Sequence, residues 1–124
     1  FVSDDGVKDP TFIKVAGVFA EGVFATGPQD SSGNPLYAVA LAEHKKAFKA
    51  EPGAFFYNAY SAALALMNAI EKSGSTDYDK IVKALKTEYV DTPVGKIKFD
   101  SIGDAEGVGF DVYMVANGVF VQAE

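Results

Sequence analysis

Two neighbouring carboxylates near the start of the chain are the first candidates for ligand chemistry. Asp4 and Asp5 precede Gly6 and follow an apolar opening, Phe1-Val2, that is typical of the end of a β-strand. In open α/β sheets, ligands bind outside the carboxyl ends of strands, and a carboxylate there can hold an ammonium group by charge-assisted hydrogen bonds. The alternative is an ordinary Asp-Gly turn that binds no ligand.

Three consecutive aromatic residues form the second candidate, at the start of a long apolar segment. Phe55, Phe56 and Tyr57 follow Pro52-Gly53, a pair that favours a turn. Aromatic side chains at the start of a helix can line a small apolar pocket. The alternative is that all three residues pack in the core of the domain.

The residues needed for catalysis or metal binding are scarce. His44 is the only histidine and there is no cysteine, so no second motif supports a Ser-His-Asp triad and a thiolate site is excluded. Asp100, Asp104 and Glu106 lack the alternation of a calcium-binding loop, and Gly107-Val108-Gly109 is too short to indicate a phosphate site. We therefore predict no catalytic residue, no metal site, no cofactor and no enzymatic activity.

Composition narrows the class of partner. The chain of 124 residues is 48% hydrophobic, which predicts a folded domain rather than disorder. Its formal net charge of −6 disfavours nucleic acid and anionic membrane surfaces, because both attract basic proteins. The absence of cysteine excludes structural disulfides.

Residues 55–70 predict a helix that is apolar all the way round. Its few polar residues, Asn58, Ser61 and Asn68, do not share one face, and a helix of this kind is usually buried. With 16 residues the segment is shorter than the roughly 20 needed to span a bilayer. We therefore predict a central core helix that other elements cover on several sides.

The other segments alternate between strand and helix patterns. Asp9-Pro10 predicts a helix start, and Ser75 or Thr76 predicts the cap of a later helix. Asn117-Gly118 predicts a two-residue hairpin turn. Strands are predicted at residues 1–2, 21–26, 94–100, 110–115 and 119–121, a loop at residues 27–35, and an amphipathic helix at residues 36–49. This order indicates an α/β chain with too few strands before its helices, so we expect a piece of a longer protein.

The chain resembles the periplasmic branched-chain amino acid (leucine/isoleucine/valine) binding proteins in three segments that occur in the same order: FVSDDGVKDPTFIKVAGVFAEGV, PGAFFYNAYSAALAL and DTPVGKIKFDSIGDAEGVGFDVYMVANG. The resemblance covers the whole chain and about the last third of the family's length. It implies a C-terminal fragment of a type I periplasmic binding protein, an α/β fold of two three-layer lobes joined by hinge crossovers. Residues 1–26 then end the second lobe, residues 27–35 form a hinge-like loop, residues 36–107 belong to the first lobe, and residues 108–124 form a hairpin that returns to the second lobe.

The resemblance also implies a function, which is the capture of a branched-chain or other aliphatic amino acid for an ABC importer. Asp5 matches the family's acidic residue that receives the α-ammonium of the ligand, and Phe55 matches an aromatic residue that contacts the ligand side chain, with Tyr57 as a neighbour. The implied partners are the amino acid, the membrane permease, and either a missing N-terminal part or another copy of the chain to cover the apolar helix. The implied location is the periplasm, or the cell exterior with a lipid anchor in a Gram-positive source, with the export signal outside this fragment.

Two alternatives to this function stay open from the sequence. One is a sensor of amide or urea-type ligands, or another receptor domain, on the same scaffold. The other is an interaction module that folds only with a partner chain.

Overall fold

The structure is a computed structural model and describes residues 1–123. The chain divides into two compact units. Unit 1 combines Phe1–Gln29 with the residues from Gly109 onward, and unit 2 comprises Asp30–Val108. The chain therefore leaves unit 1 once, after Gln29, and returns to it once, at Gly109.

Unit 1 contains a four-stranded sheet with one helix. The strands are β1 (Val2–Ser3), β2 (Phe24–Pro28), β6 (Phe110–Ala116) and β7 (Val119–Gln122), in the order β1-β2-β6-β7. β1 is parallel to β2, whereas β2 pairs antiparallel with β6 and β6 with β7. Helix α1 (Pro10–Ala16) lies between β1 and β2 in the sequence and is flanked by 3-10 turns at Asp5–Val7 and Gly17–Ala20.

The hairpin predicted at Asn117-Gly118 is confirmed. Both residues have positive φ, 53° and 75°, as a two-residue turn that matches strand twist requires. Glu21 also supports this turn, because its carboxylate accepts hydrogen bonds from the amides of Asn117 (3.0 Å) and Gly118 (2.6 Å).

The predicted start of α1 is also confirmed, whereas the predicted bounds of the second strand are wrong. Asp9 accepts a hydrogen bond from the amide of Thr11, and Pro10 opens the helix. The second strand was predicted at residues 21–26 but begins at Phe24, because Gly22 turns the chain with φ of 74°. The strand continues through Pro28, so the following loop is shorter than the predicted residues 27–35.

Unit 2 contains three helices and a three-stranded antiparallel sheet. The helices are α2 (Pro35–Phe48), α3 (Phe56–Ser73) and α4 (Tyr78–Thr87), and the strands are β3 (Val90–Thr92), β4 (Gly95–Phe99) and β5 (Ala105–Glu106), in the order β3-β4-β5. The strand predicted at residues 94–100 is confirmed as β4, in which Ile97 is buried. β3 and β5 were not predicted, because strands of three and two residues are too short to show a period of two.

The prediction that α3 is buried on several sides is wrong for the described residues. Ser61, Ala65 and Ala69 are buried, and they share one face at a spacing of four residues. Leu66 and Met67 are 48% and 57% exposed. The helix packs on α4, β3 and α2 within unit 2, and an apolar face that includes Leu66 and Met67 stays open.

The predicted cap of α4 is corrected as well. Asp77, rather than Ser75 or Thr76, is the N-cap, and its carboxylate accepts a hydrogen bond from the amide of Lys80 at 3.2 Å. The hydroxyl of Ser75 instead accepts a hydrogen bond from the amide of Asp77. Across residues 1–123, none of the helices combines the length and the apolar character needed to cross a bilayer.

Candidate functional site

The two adjacent aspartates at the end of β1 have different surroundings. The carboxylate of Asp4 accepts a hydrogen bond from the amide of Gly6 at 3.2 Å and so caps the 3-10 turn Asp5–Val7. Asp5 is a half-buried residue, and its carboxylate has no hydrogen-bond or ion-pair partner within residues 1–123. Asp4 therefore has the structural role expected of an Asp-Gly turn, and Asp5 is left with unused acceptor capacity.

Asp5 lies two residues after the carboxyl end of β1, and open α/β sheets bind ligands outside the carboxyl ends of their strands. β1 and β2 are parallel, with Ser3 opposite Ala25, so their carboxyl ends meet at the same edge. The nearby Lys8 is held elsewhere: its ammonium lies 3.4 Å from the centroid of the Tyr113 ring. Tyr113 in turn donates a hydrogen bond from its hydroxyl to the carbonyl of Pro28 at 2.7 Å. Lys8 therefore packs along β2 and β6 and does not neutralise Asp5.

Phe55 is the N-cap residue of α3. Its side chain is 44% exposed and forms no ring pair with another aromatic residue of the described chain. Because phenylalanine has no side-chain oxygen, it cannot accept a hydrogen bond from the first amides of the helix. Phe55 therefore presents an apolar ring at the surface of unit 2.

Phe56 and Tyr57 are instead packed against α2. The Phe56 ring meets the His44 ring edge-on with centroids 4.6 Å apart. The Tyr57 ring stacks on the Tyr37 ring with centroids 3.7 Å apart and an interplanar angle of 16°. Phe56 and Tyr57 therefore pack against α2 as half-buried residues, whereas Phe55 does not.

The Tyr57 hydroxyl lies in a poorly solvated position. Burial raises the pKa of Tyr57 well above its ordinary value, and hydrogen bonding with Tyr37 adds to the effect. The negative charge of Glu51 acts in the same direction. Tyr57 is therefore a neutral group at physiological pH.

The acidic turn after β4 is a self-contained loop cap. One carboxylate oxygen of Asp100 accepts hydrogen bonds from the amides of Ile102, Gly103 and Asp104 at 2.8–2.9 Å. These hydrogen bonds, with that from Asp104 the strongest influence, lower the pKa of Asp100. Glu106 forms an ion pair with Lys98 at 2.8 Å. Within the described residues, no three histidine or acidic side chains are grouped so that they could hold a metal ion.

The structure places the predicted site residues in different units: Asp5 in unit 1, and Phe55 and Tyr57 in unit 2. The sequence predicted the amphipathic helix that contains Tyr37, but it missed the stack of Tyr37 on Tyr57. It also missed Asn34, which caps α2 through the amide of Leu36. The Asn-Pro pair before an apolar segment is the signal that could have identified this cap.

Comparison with known proteins supports the resemblance that three segments of the sequence indicated. The family described as "Periplasmic binding protein" matches residues 5–116. The chain is 35% identical to the leucine-, isoleucine-, valine-, threonine-, and alanine-binding protein of Pseudomonas aeruginosa, over 91% of this chain and 30% of that protein. It is 32% identical to the Leu/Ile/Val-binding protein of Escherichia coli K12, over 100% of this chain and 34% of that protein.

A solved structure shows that the fold is shared. The crystal structure of a leucine binding protein from Thermotoga maritima superposes with a TM-score of 0.81 at 29% identity, over 99% of this chain and 36% of that chain. The chain thus spans about a third of the length of the relatives it matches. The resemblance seen in the three sequence segments is confirmed, and the chain belongs to the periplasmic binding protein family.

Proposed function

We propose that this chain is part of the solute-binding component of an ABC importer for branched-chain or other aliphatic amino acids. The observation that carries the proposal is the unpartnered carboxylate of Asp5 at the carboxyl end of a parallel strand. Relatives that bind leucine, isoleucine and valine support the ligand class. Membership of a family of solute-binding proteins supports the proposal that the ligand is captured without chemical change.

Asp5 is the proposed partner of the ligand's α-ammonium. A carboxylate without an internal partner has acceptor capacity that a cationic ligand can use. Charge-assisted hydrogen bonds of this kind are about 2.7–2.9 Å long and stronger than neutral ones. Asp5 therefore selects an amine-bearing ligand over a neutral one.

Phe55 is the proposed contact for the aliphatic side chain of the ligand. Its exposed ring offers apolar surface that a leucine-sized side chain can remove from water. Tyr57 has one ring face against Tyr37, so we assign it mainly to the support of this region. Direct contact between Tyr57 and the ligand stays a prediction.

The proposed mechanism is closure of two lobes that the ligand stabilises. Residues 1–26 and 108–124 are assigned to one lobe, residues 36–107 to the other, and residues 27–35 to the hinge. A ligand that binds the closed state better than the open one shifts the population toward closure. The membrane permease of the importer is the proposed partner of the whole protein.

Because unit 2 has an open apolar face, the proposal includes a further segment that covers this face in the whole protein. Beside Leu66 on α3 lies a groove of about 350 Å³, lined mainly by apolar side chains from α3, α4 and the loop after β4. A missing N-terminal part is the proposed cover, and another copy of the chain is the alternative. The proposed location is the periplasm, or the cell exterior with a lipid anchor in a Gram-positive source.

The test is leucine binding by the full-length protein, measured by titration calorimetry with matched charge variants. Asp5→Asn should weaken leucine binding by about 30-fold or more, since removal of one member of a desolvated charge pair costs about 2 kcal/mol or more. Asp4→Asn removes the same charge one residue away and keeps a good helix-capping side chain. It should leave the affinity within about threefold of the wild type.

The same titration separates the alternatives. Leucine binding that survives Asp5→Asn within a few-fold would contradict the assignment of Asp5. Binding of a neutral amide that is unaffected by Asp5→Asn would instead indicate a sensor of the amide or urea type. Failure of the wild-type protein to bind any amino acid or amide, together with folding only beside a partner chain, would indicate an interaction module.

A further inference from the structure

The start of α3 lacks the stabilisation that the other helices have. The first amides of α1, α2 and α4 are capped by the side chains of Asp9, Asn34 and Asp77. Phe55, the N-cap of α3, has no side-chain hydrogen bond. The first turn of α3 therefore depends on other contacts for its position, although this is the turn that presents the Phe55 ring.

Two rings of α2 provide those contacts. Tyr57 stacks on Tyr37 at 3.7 Å between centroids, and Phe56 meets His44 at 4.6 Å. Tyr37 and His44 are seven residues apart, which is two helical turns, so they lie on the same side of α2. Two consecutive residues of α3 are thus each held by a ring of α2, directly after Phe55.

The start of α2 is itself anchored to the sheet of unit 2. The side-chain amide of Asn34 donates hydrogen bonds to the carbonyls of Thr92 (2.8 Å) and Pro93 (3.3 Å), at the end of β3. The amide of Tyr37 donates to the carbonyl of Asn34 at 3.0 Å. Tyr37 is therefore in the first turn of a helix that is fixed at its origin, and its ring is a firm support for Tyr57.

We propose that Tyr37 is a positioning residue for ligand selectivity, acting through its stack on Tyr57 to set where Phe55 presents its ring. The inference rests on the proposed function, because it requires that Phe55 contacts the ligand side chain. Tyr37 thereby controls the preference for long aliphatic side chains over short ones. It leaves recognition of the ligand's ammonium group, which involves Asp5 in unit 1, unchanged.

The experiment compares Tyr37→Ala with Tyr37→Phe, which keeps the ring, in the full-length protein. Tyr37→Leu is a second variant that keeps apolar volume without a ring, in case the alanine variant does not fold. Val39→Ala, which removes an exposed apolar side chain from the same helix as Tyr37, is the control. Two quantities are measured: the ratio of leucine affinity to alanine affinity, and ligand-free amide hydrogen exchange at residues 56–60.

The expected result is specific to the loss of the ring. Tyr37→Ala and Tyr37→Leu lower the leucine-to-alanine affinity ratio by about fivefold, which is the order of effect expected from one aromatic pair. Both variants also accelerate exchange at residues 56–60 and leave exchange in α4 unchanged. Tyr37→Phe restores both quantities, and Val39→Ala alters neither.

Three results would overturn the inference, and they are distinguishable from one another. Unchanged exchange at residues 56–60 would show that Tyr37 does not hold this turn. Faster exchange with an unchanged affinity ratio would show a purely structural role. A wild-type protein that binds neither leucine nor alanine would refute the proposed function, and the inference with it.

Discussion

Adjacent residues of the same type can have unrelated roles, as Asp4 and Asp5 show. The Asp4 carboxylate is used within the chain by the amide of Gly6, whereas the Asp5 carboxylate has no partner in the described part of the chain. The sequence identified the pair but could not divide the roles, because either aspartate can cap a turn before glycine. Only the direction of each carboxylate, which the backbone of the 3-10 turn sets, separates the two.

The raised pKa of Tyr57 predicts that the folded protein becomes less stable at alkaline pH. Because the pKa of Tyr57 is raised in the folded state, the native protein keeps a proton that the unfolded chain loses above about pH 10. The stabilisation is present at lower pH and decreases as the pH rises above that value. Tyr57→Phe should flatten this decrease, measured by urea unfolding between pH 8 and 11. Tyr78→Phe, at an exposed position, is the control and should leave the decrease as in the wild type.

The lowered pKa of Asp100 predicts that stability decreases as the pH falls in the acid range, the opposite direction to the effect of Tyr57. The pKa of Asp100 is lowered in the fold by the amides of Asp104, Gly103 and Ile102. Its contribution to the free energy of unfolding is therefore present above about pH 4, the ordinary pKa of an aspartate, and is lost as the pH falls through the lowered pKa. Asp100→Ala should accelerate amide exchange in residues 102–104 at pH 6. Equal protection of these amides in the variant and the wild type would show that the carboxylate does not order the loop.

Among the elements, those with local signals were predicted well. The start of α1 at Asp9-Pro10 and the hairpin at Asn117-Gly118 depend on neighbouring residues, so the sequence alone identified them. β3 and β5 were missed because their strand character comes from pairing with β4. The stack of Tyr37 on Tyr57 was missed for the same reason, since it depends on how α2 packs on α3.

Asn34 provides a test of how α2 is anchored. Its side-chain oxygen caps α2, and its side-chain nitrogen binds the carbonyls of Thr92 and Pro93. Asn34→Ala loses both roles and should lower the free energy of unfolding by about 2 kcal/mol. Asn34→Ser keeps a capping oxygen but is too short to reach β3, so it should recover about half of that loss. Urea unfolding measures both variants, and an Asn34→Ser variant as stable as the wild type would show that the bonds to β3 contribute nothing.

At the scale of the whole molecule, both units expose large apolar side chains, and the chain spans only part of the length of its relatives. In unit 1, Val15, Val18 and Phe19 are strongly exposed, and in unit 2 the open face includes Leu66 and Met67. The chain spans about a third of the proteins it matches. The sequence predicted that α3 needs cover because its residues are apolar all round, but it could not say which elements provide it.

The proposed cover on the open apolar face of unit 2 predicts that Leu66→Lys affects the 124-residue chain and the full-length protein differently. Leu66→Lys should be tolerated in the isolated 124-residue chain, because Leu66 is half exposed there. In the full-length protein the same change should cost several kcal/mol and lower the soluble yield, since it buries an unpaired charge. Glu71→Lys, at an exposed position of the same helix, is the control and should be tolerated in both. Equal tolerance of Leu66→Lys in both proteins would refute the proposed cover.

The central claim is that the Asp5 carboxylate receives the ammonium group of an amino acid ligand. A crystal structure of the full-length protein with bound leucine measures this directly. The account predicts one Asp5 oxygen about 2.7–2.9 Å from the ligand nitrogen, with the Asp4 carboxylate still bonded to the amide of Gly6. A leucine whose nitrogen is bound by other groups, with the Asp5 carboxylate directed away from it, would contradict the account.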